Sequence, residues 1–313
     1  MDILDIIRTV LSSGLPCCIL AIGIFITFRL LDFADMTAEG SFLIGAALTG
    51  MVLVKTNNPI LATCAGALGG ALCGFITGVL NRLVKIPKLL SGIITMTSST
   101  SIAYVLFSVT RGVWWSSQIT SQDIKGKVIY DYLPKLGGWN IPIIMLAVVI
   151  LVALIIYFFF GTEYGMAIRS TGMNERMARA QGINTNIATI AGVAISNALI
   201  GLAGALYIQK QKALYISSAT GYLIVGLASI LIGEAIFGRR SFKNCLISVC
   251  LGAILYFVII TIAIKLNMPG EMLQILYAVL IVLALCIPFI RKFFEGLIEK
   301  AKKKNELPKE ANE

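Results

Sequence analysis

Nine stretches of the chain, each 13 to 23 residues long, hold only three charged residues between them: Arg29, Glu234 and Lys265. They run 11–31, 42–54, 60–80, 89–109, 141–160, 187–208, 221–237, 244–266 and 272–290. A helix needs about 20 apolar residues to cross ~30 Å of hydrocarbon. The pattern therefore predicts an all-α, polytopic transmembrane helix bundle of about nine spans, or eight to ten if a broken or re-entrant segment intervenes. With 58% of 313 residues apolar and 13% charged, the chain carries more apolar surface than a water-soluble core accounts for.

The residue inventory narrows the chemistry. There is no histidine, which removes Ser-His-Asp and Cys-His nucleophiles, imidazole relays and His-ligated zinc or haem. The cysteines at 17, 18, 64, 73, 245, 250 and 286 all sit in apolar runs without a C-x-x-C spacing, and read as small buried hydrophobes rather than a disulfide or metal framework. No phosphate-binding loop occurs, since the one Gly-Lys pair, Gly126-Lys127, is followed by Val128. The chain is thus expected to be no enzyme and to need no cofactor or metal. Asp2 and Asp5 precede Arg8, unlike the basic start of a cleavable signal, so the first run is expected to be retained.

A net charge of +10 raises the question of nucleic acid, and its distribution answers otherwise. With the charged tail 291–313 in the cytoplasm, alternate connections fall inside. These hold Arg29; then Arg82, Lys85 and Lys88; then Arg169, Arg176 and Arg179; then Arg239, Arg240 and Lys243. With the tail, seventeen of the 26 basic residues lie inside, the asymmetry that orients multi-pass proteins in a cell membrane. Lipid is the expected surrounding and no nucleic acid partner is implied. The chain divides into a transmembrane domain, 1–290, with an external segment 110–140 and a cytoplasmic segment 161–186, followed by the tail.

Several stretches depart from plain apolar patterning. Between the first two runs, 29–40 places Asp32, Asp35 and Glu39 without a turn-rich linker. The run after it is too short to span alone. Either this is a cytoplasmic loop with solvated acids, or a discontinuous helix whose irregular backbone lines a cavity. In the third run Ala62, Gly66, Gly70, Gly74 and Gly78 recur every four residues, a ridge that lets helix backbones approach closely in lipid. Asn197, Gly201 and Ala205 repeat the device in the sixth, where the amide reads as glue between helices or as a pathway group. The fourth run is rich in hydroxyls, with Ser91, Thr95 and Ser98 on one face and Thr97, Ser101, Tyr104 and Ser108 on the next. That load predicts a helix facing the bundle interior, bonded to neighbours or lining a polar route. Glu234 is a pathway candidate or a salt-bridge partner of Arg239 or Arg240. The external Trp114, Trp115, Tyr130, Tyr132 and Trp139 read as a docking surface or an aromatic belt at the lipid interface.

In the cytoplasmic segment, Asn174 suits a helix N-cap, Glu175 the positive helix start, Arg179 the end, and Gly182 a left-handed residue after it. The helix of about two turns needs something to pack on, either the membrane interface or a soluble partner, and Arg176 and Arg179 fit both.

Three motifs together resemble the permeases of bacterial ABC importers in the branched-chain amino acid and ribose superfamily. The segment Leu31-Asp32-Phe33-Ala34-Asp35-Met36-Thr37 through Leu43-Ile44-Gly45-Ala46 is similar to that family's N-F-A-H-G-E-x-x-x-L-G-A. Thr162, Gly165, Ala167, Arg169, Gly172, Asn174, Ala178, Arg179, Gly182 and Ile183 match its cytoplasmic signature, and Gly233-Glu234 stands where it has Gly-Gly. Asp35 for His and Glu234 for Gly make the chain resemble the branch that includes tryptophan or tyrosine and nucleoside permeases. The resemblance implies a translocation subunit for a small solute, an amino acid and for choice an aromatic one, with a nucleoside or sugar as the alternative. It implies that 174–181 couples to a separate ABC ATPase through Gly165, Arg169, Gly172, Asn174, Glu175, Arg176, Ala178, Arg179 and Gly182. It also implies an extracellular solute-binding lipoprotein, a second permease copy, most simply an identical one, and a broken helix at 32–40 beside the route. Asp32, Phe33, Asp35, Glu39, Thr95, Ser98, Ser101, Tyr104 and Asn197 are the pathway candidates; Gly66, Gly70, Gly74, Gly78 and Gly201 are packing residues. The rival from another class is an ion- or proton-coupled secondary transporter using Asp32, Asp35 and Glu234; a membrane enzyme is disfavoured.

Overall fold

The computed structural model describes residues 3–266, apart from 115, 121, 125–127, 132–138 and 239–240, and a few positions from 275 to 282. It is a helical bundle: α1 (Ile3–Phe25), α2 (Thr37–Thr56), α3 (Pro59–Arg82), α4 (Lys88–Arg111), α5 (Asn140–Phe159), α6 (Glu163–Met173), α7 (Glu175–Ala180), α8 (Thr185–Gln211), α9 (Tyr222–Phe237) and α10 (Phe242–Lys265). Seven of these are long and apolar enough to cross a membrane, α1 being continued to Leu30 by a π-helical turn, and α9 is a shorter apolar helix. Most of the ninth predicted span, 272–290, and all of the tail lie outside the described residues.

Local chemistry sets the helix ends. Asn58 accepts from the amides of Ile60 and Leu61 ahead of Pro59 at the first position of α3, and Asn184 caps α8 through Asn186 and Ile187. Ser241 caps α10 through Asn244. Left-handed residues close α2, α4 and α8 at Asn57, Gly112 and Lys212.

The core is a trio. The ridge of α3 lies in a groove between α2 and α8, where no side chain fits. A Cβ on Gly70 would meet the Asn197 carbonyl and the Gly201 Cα; one on Gly74 the Val193 carbonyl; one on Gly66 the Gly45 carbonyl. Gly201 faces Gly66 and Gly70 in return, and Gly78 abuts Ile190. Around this trio α1 packs on α8, α10, α5 and α9; α9 packs on α10; α4 leans on α2 and α3.

The bundle has two distinct ends. One carries α6, α7, Arg29, Arg82, Lys88 and Lys243, tied by contacts such as Lys88 Nζ to the Asp32 carbonyl at 2.7 Å. The other carries a two-stranded antiparallel pairing of β1 (Gln118–Ile119) with β2 (Leu214–Tyr215). There Arg111 meets Asp123 at 3.3 Å. Burial pushes the Asp123 carboxyl up, but the Thr120 amide and hydroxyl and the Arg111 charge outweigh it and hold it below the usual carboxylate range.

Three expectations are corrected. The second span is not a 13-residue run, because α2 begins at Thr37 and has 20 residues; Thr37 to Ser41 are helical despite Glu39. Cys64 is exposed rather than buried. Tyr130 belongs to no surface: it is buried, and its hydroxyl donates to the Leu206 carbonyl at 3.1 Å. Trp114 is 97% exposed; Trp115 and Tyr132 lie outside the described residues.

Candidate functional site

The chain between α1 and α2 is irregular over residues 31–36, after the π-helical turn Ile26–Leu30. Asp32 adopts a left-handed conformation (φ 47°) and is exposed, with its neighbour Phe33 buried. Asp35 is buried. Its Oδ1 accepts from the Thr37 amide at 2.8 Å and its Oδ2 from Asn197 Nδ2 at 2.7 Å. Asn197 Oδ1 in turn accepts from the Ser41 hydroxyl at 2.6 Å. The network continues from Thr37 to Thr77 at 2.7 Å, and Cys73 meets Ser99 at 3.4 Å.

Asn197 is the thirteenth of the 27 residues of α8, so the irregular segment reaches the middle of the bundle. This is irregular backbone at depth that is enclosed by protein, as lipid requires. A cavity of about 80 Å³ lies beside it, lined by Thr27, Phe28, Phe33, Asp35 and Leu223 among others. Glu39, partly exposed, accepts from the Gly221 amide at 2.8 Å at the start of α9. Tyr222, the first residue of α9, stacks on Phe42 with ring centroids 4.2 Å apart, and Tyr207 meets both rings.

The fourth span is divided. Thr95 is buried along with Ser91 and Ser99, whereas Thr97, Ser98 and Ser101 are exposed on the bundle surface and Tyr104 is half-buried. The expectation that the whole hydroxyl load faces inward is therefore corrected. Ser98 donates to the Ile94 carbonyl at 2.8 Å and Ser101 to that of Thr97 at 3.3 Å, so neither needs another helix.

At the basic end α6 and α7 form one elbow. Thr162 caps α6 through the Gly165 amide, and Asn174 caps α7 through Met177. Gly182 is left-handed at φ 83° as its position predicts. The α6 helix is an element beyond those expected from the sequence, although Thr162-Glu163 carries the same cap signal as Asn174-Glu175.

Several contacts join the elbow to the bundle. Gly172 lies against the Leu30 carbonyl and Leu31 Cα, where a Cβ has no room, and Gly165 lies in the same way against Phe159 and Phe160. Arg169 sits over the Phe242 ring at 5.0 Å. Glu175 takes Arg82 of α3 at 2.6 Å and Arg179 at 2.6 Å, and Thr185 also donates to it. Burial raises the Glu175 carboxyl, but the Arg82 hydrogen bond and charge, with Arg179 and Thr185, leave it below its ordinary value. Ala178 is buried under the elbow, while Arg176, Met173 and Met177 are exposed on it.

Glu234 is buried and pairs with Arg29 at 2.5 Å, a partner that no local pattern predicts. Arg239 and Arg240, its expected partners, lie outside the described residues.

Comparison with known proteins places these features in a lineage. The profile described as branched-chain amino acid transport system, permease component, matches residues 6–285. A tyrosine transport system permease protein of Clostridioides difficile is 31% identical over 277 residues, covering 88% of this chain and 89% of that protein. A nucleoside ABC transporter permease protein of Lactococcus lactis is 28% identical over 215 residues, covering 63% of this chain and 65% of that protein. A galactofuranose transporter permease protein of Escherichia coli is 24% identical, covering 89% of this chain and 78% of that protein. No solved structure matches the chain.

Proposed function

The chain belongs to the branched-chain amino acid transport permease family, and on that premise we propose that it is the translocation subunit of an ATP-driven importer for an amino acid, aromatic for choice. Two copies would form the pathway, with an ATPase subunit seated on each α6–α7 elbow and a solute-binding lipoprotein delivering solute at the β1–β2 end. This puts the elbow and the tail in the cytoplasm of a bacterial cell. The similarity to a tyrosine permease over most of both chains supports the solute class; that to a nucleoside permease supports a nucleoside as the second reading.

The observation that carries the proposal is the elbow itself. Arg176, Met173 and Met177 are exposed on the two helices of the elbow, whose other side is fixed to α3, α10 and the 30–31 backbone. A partner that grips the exposed side can displace the bundle through those contacts. ATP would shift the permease only as far as the ATPase binds its two states differently.

Reconstitution in liposomes with the ATPase and the binding protein tests this. Uptake is expected to need ATP on the elbow side and to survive a protonophore. Uptake driven by a proton or sodium gradient without ATP would instead establish a secondary transporter. A shift in the melting of the binding protein by an aromatic amino acid, and none by a nucleoside, separates the two solute classes.

A further inference from the structure

The importer reading leaves open which group in the membrane meets the solute, and Glu39 has the physical setting for it. Ser41, two residues further along α2, bonds to Asn197 at the centre of α8. Glu39 therefore lies within about 3 Å of that level along the helix axis. At this depth a carboxylate is expensive unless it meets a cation or a water-filled route. Asp35 is enclosed and bonded on both oxygens, whereas Glu39 is partly exposed. Among the described residues no lysine or arginine forms an ion pair with Glu39. Bonds from the Gly221 and Leu223 amides hold the carboxylate at the start of α9, where the Tyr222 ring is fixed by the 4.2 Å stack on Phe42.

We propose that Glu39 receives the ammonium group of the solute in transit, with the Tyr222 ring as an adjoining flat wall. The recognised class is then a primary amine that carries a planar side chain. A carboxylate that is held by backbone amides but meets no cationic side chain among the described residues, next to an immobilised ring, offers an ammonium a charge-assisted hydrogen bond and a π face. A solute without a cationic group gains nothing from the first of these. The inference rests on the importer reading and narrows it to one residue.

The test is Glu39→Gln in the full complex with its ATPase and binding protein, supplied with L-tyrosine, L-phenylalanine and L-tryptophan. Glutamine retains an oxygen that accepts from the Gly221 amide, so the start of α9 stays held while the charge is removed. The expected result is a fall in uptake of about tenfold or more, the worth of one hydrogen bond to a charged group. Complex assembly, melting temperature and ATP hydrolysis stimulated by the binding protein are expected to be unchanged. Uptake within twofold of wild type overturns the proposal. So does a variant complex that melts early and loses ATP hydrolysis along with uptake, since Glu39 then only holds the fold. A wild-type complex without ATP-driven uptake of any solute is a different result, and counts against the importer reading.

Discussion

Asp35 and Asn197 are separated by 162 positions in the chain and by 2.7 Å in the fold. Each was readable as a polar group in an apolar setting; neither announced the other, because hydrogen-bond partners across a bundle are fixed by helix packing and not by spacing. Their bond, together with that from Thr37, is what allows irregular backbone to stand at mid-depth. Asp35→Ala would orphan the Thr37 amide and one Asn197 donor, and is expected to cost about 1–3 kcal/mol, seen as a lower unfolding midpoint in detergent. Glu175 gives a pH prediction. Its carboxyl in the fold lies below its ordinary value of 4.5, so its attachment to Arg82 is fully present above that value. The attachment is lost as pH falls through the lower, folded value. A spin label on a cysteine placed at Met177 should gain mobility over that acid range in the wild-type background, and show no such transition with Glu175→Gln.

At the scale of elements, the parts legible in the sequence were those governed by local periodicity. The four-residue spacing of Gly66, Gly70, Gly74 and Gly78 needs no knowledge of a partner to define a face, and α2 and α8 do lie against that face. Gly74→Leu would drive a side chain into the Val193 carbonyl, and is expected to cost about 1–3 kcal/mol or more, with a lower melting temperature and poor recovery from membranes. The α7 helix was legible through Asn174 and Gly182 for the same reason. The facing of α4 was not, because serine and threonine satisfy themselves on carbonyls of the preceding turn. Thr97, Ser98 and Ser101 all do so while exposed. A hydroxyl load is therefore compatible with either side of a helix. The start of α2 is not legible in the sequence, because Glu39 looks like a loop residue until the amide of Gly221, 182 positions away, supplies its partner.

At the scale of the whole molecule, nine apolar runs and an uneven distribution of basic residues were enough to predict a multi-pass bundle, and the structure adds how its elbow end is wired. The elbow is fixed through Gly172 to the turn that leads to Asp35, through Glu175 to the glycine-ridged α3, and through Arg169 to α10. On the proposed reading these are the routes by which an ATPase would move the centre of the bundle. The most direct test is to alter the outward side of the elbow alone, replacing Arg176 by Glu and Met177 by Asp together. Both side chains are exposed, so the permease should fold and melt as wild type does. ATP-driven uptake in liposomes with the ATPase and binding protein is the measurement. The account predicts that the ATPase no longer co-purifies and that uptake falls to background, and undiminished ATP-driven uptake by this variant would contradict it.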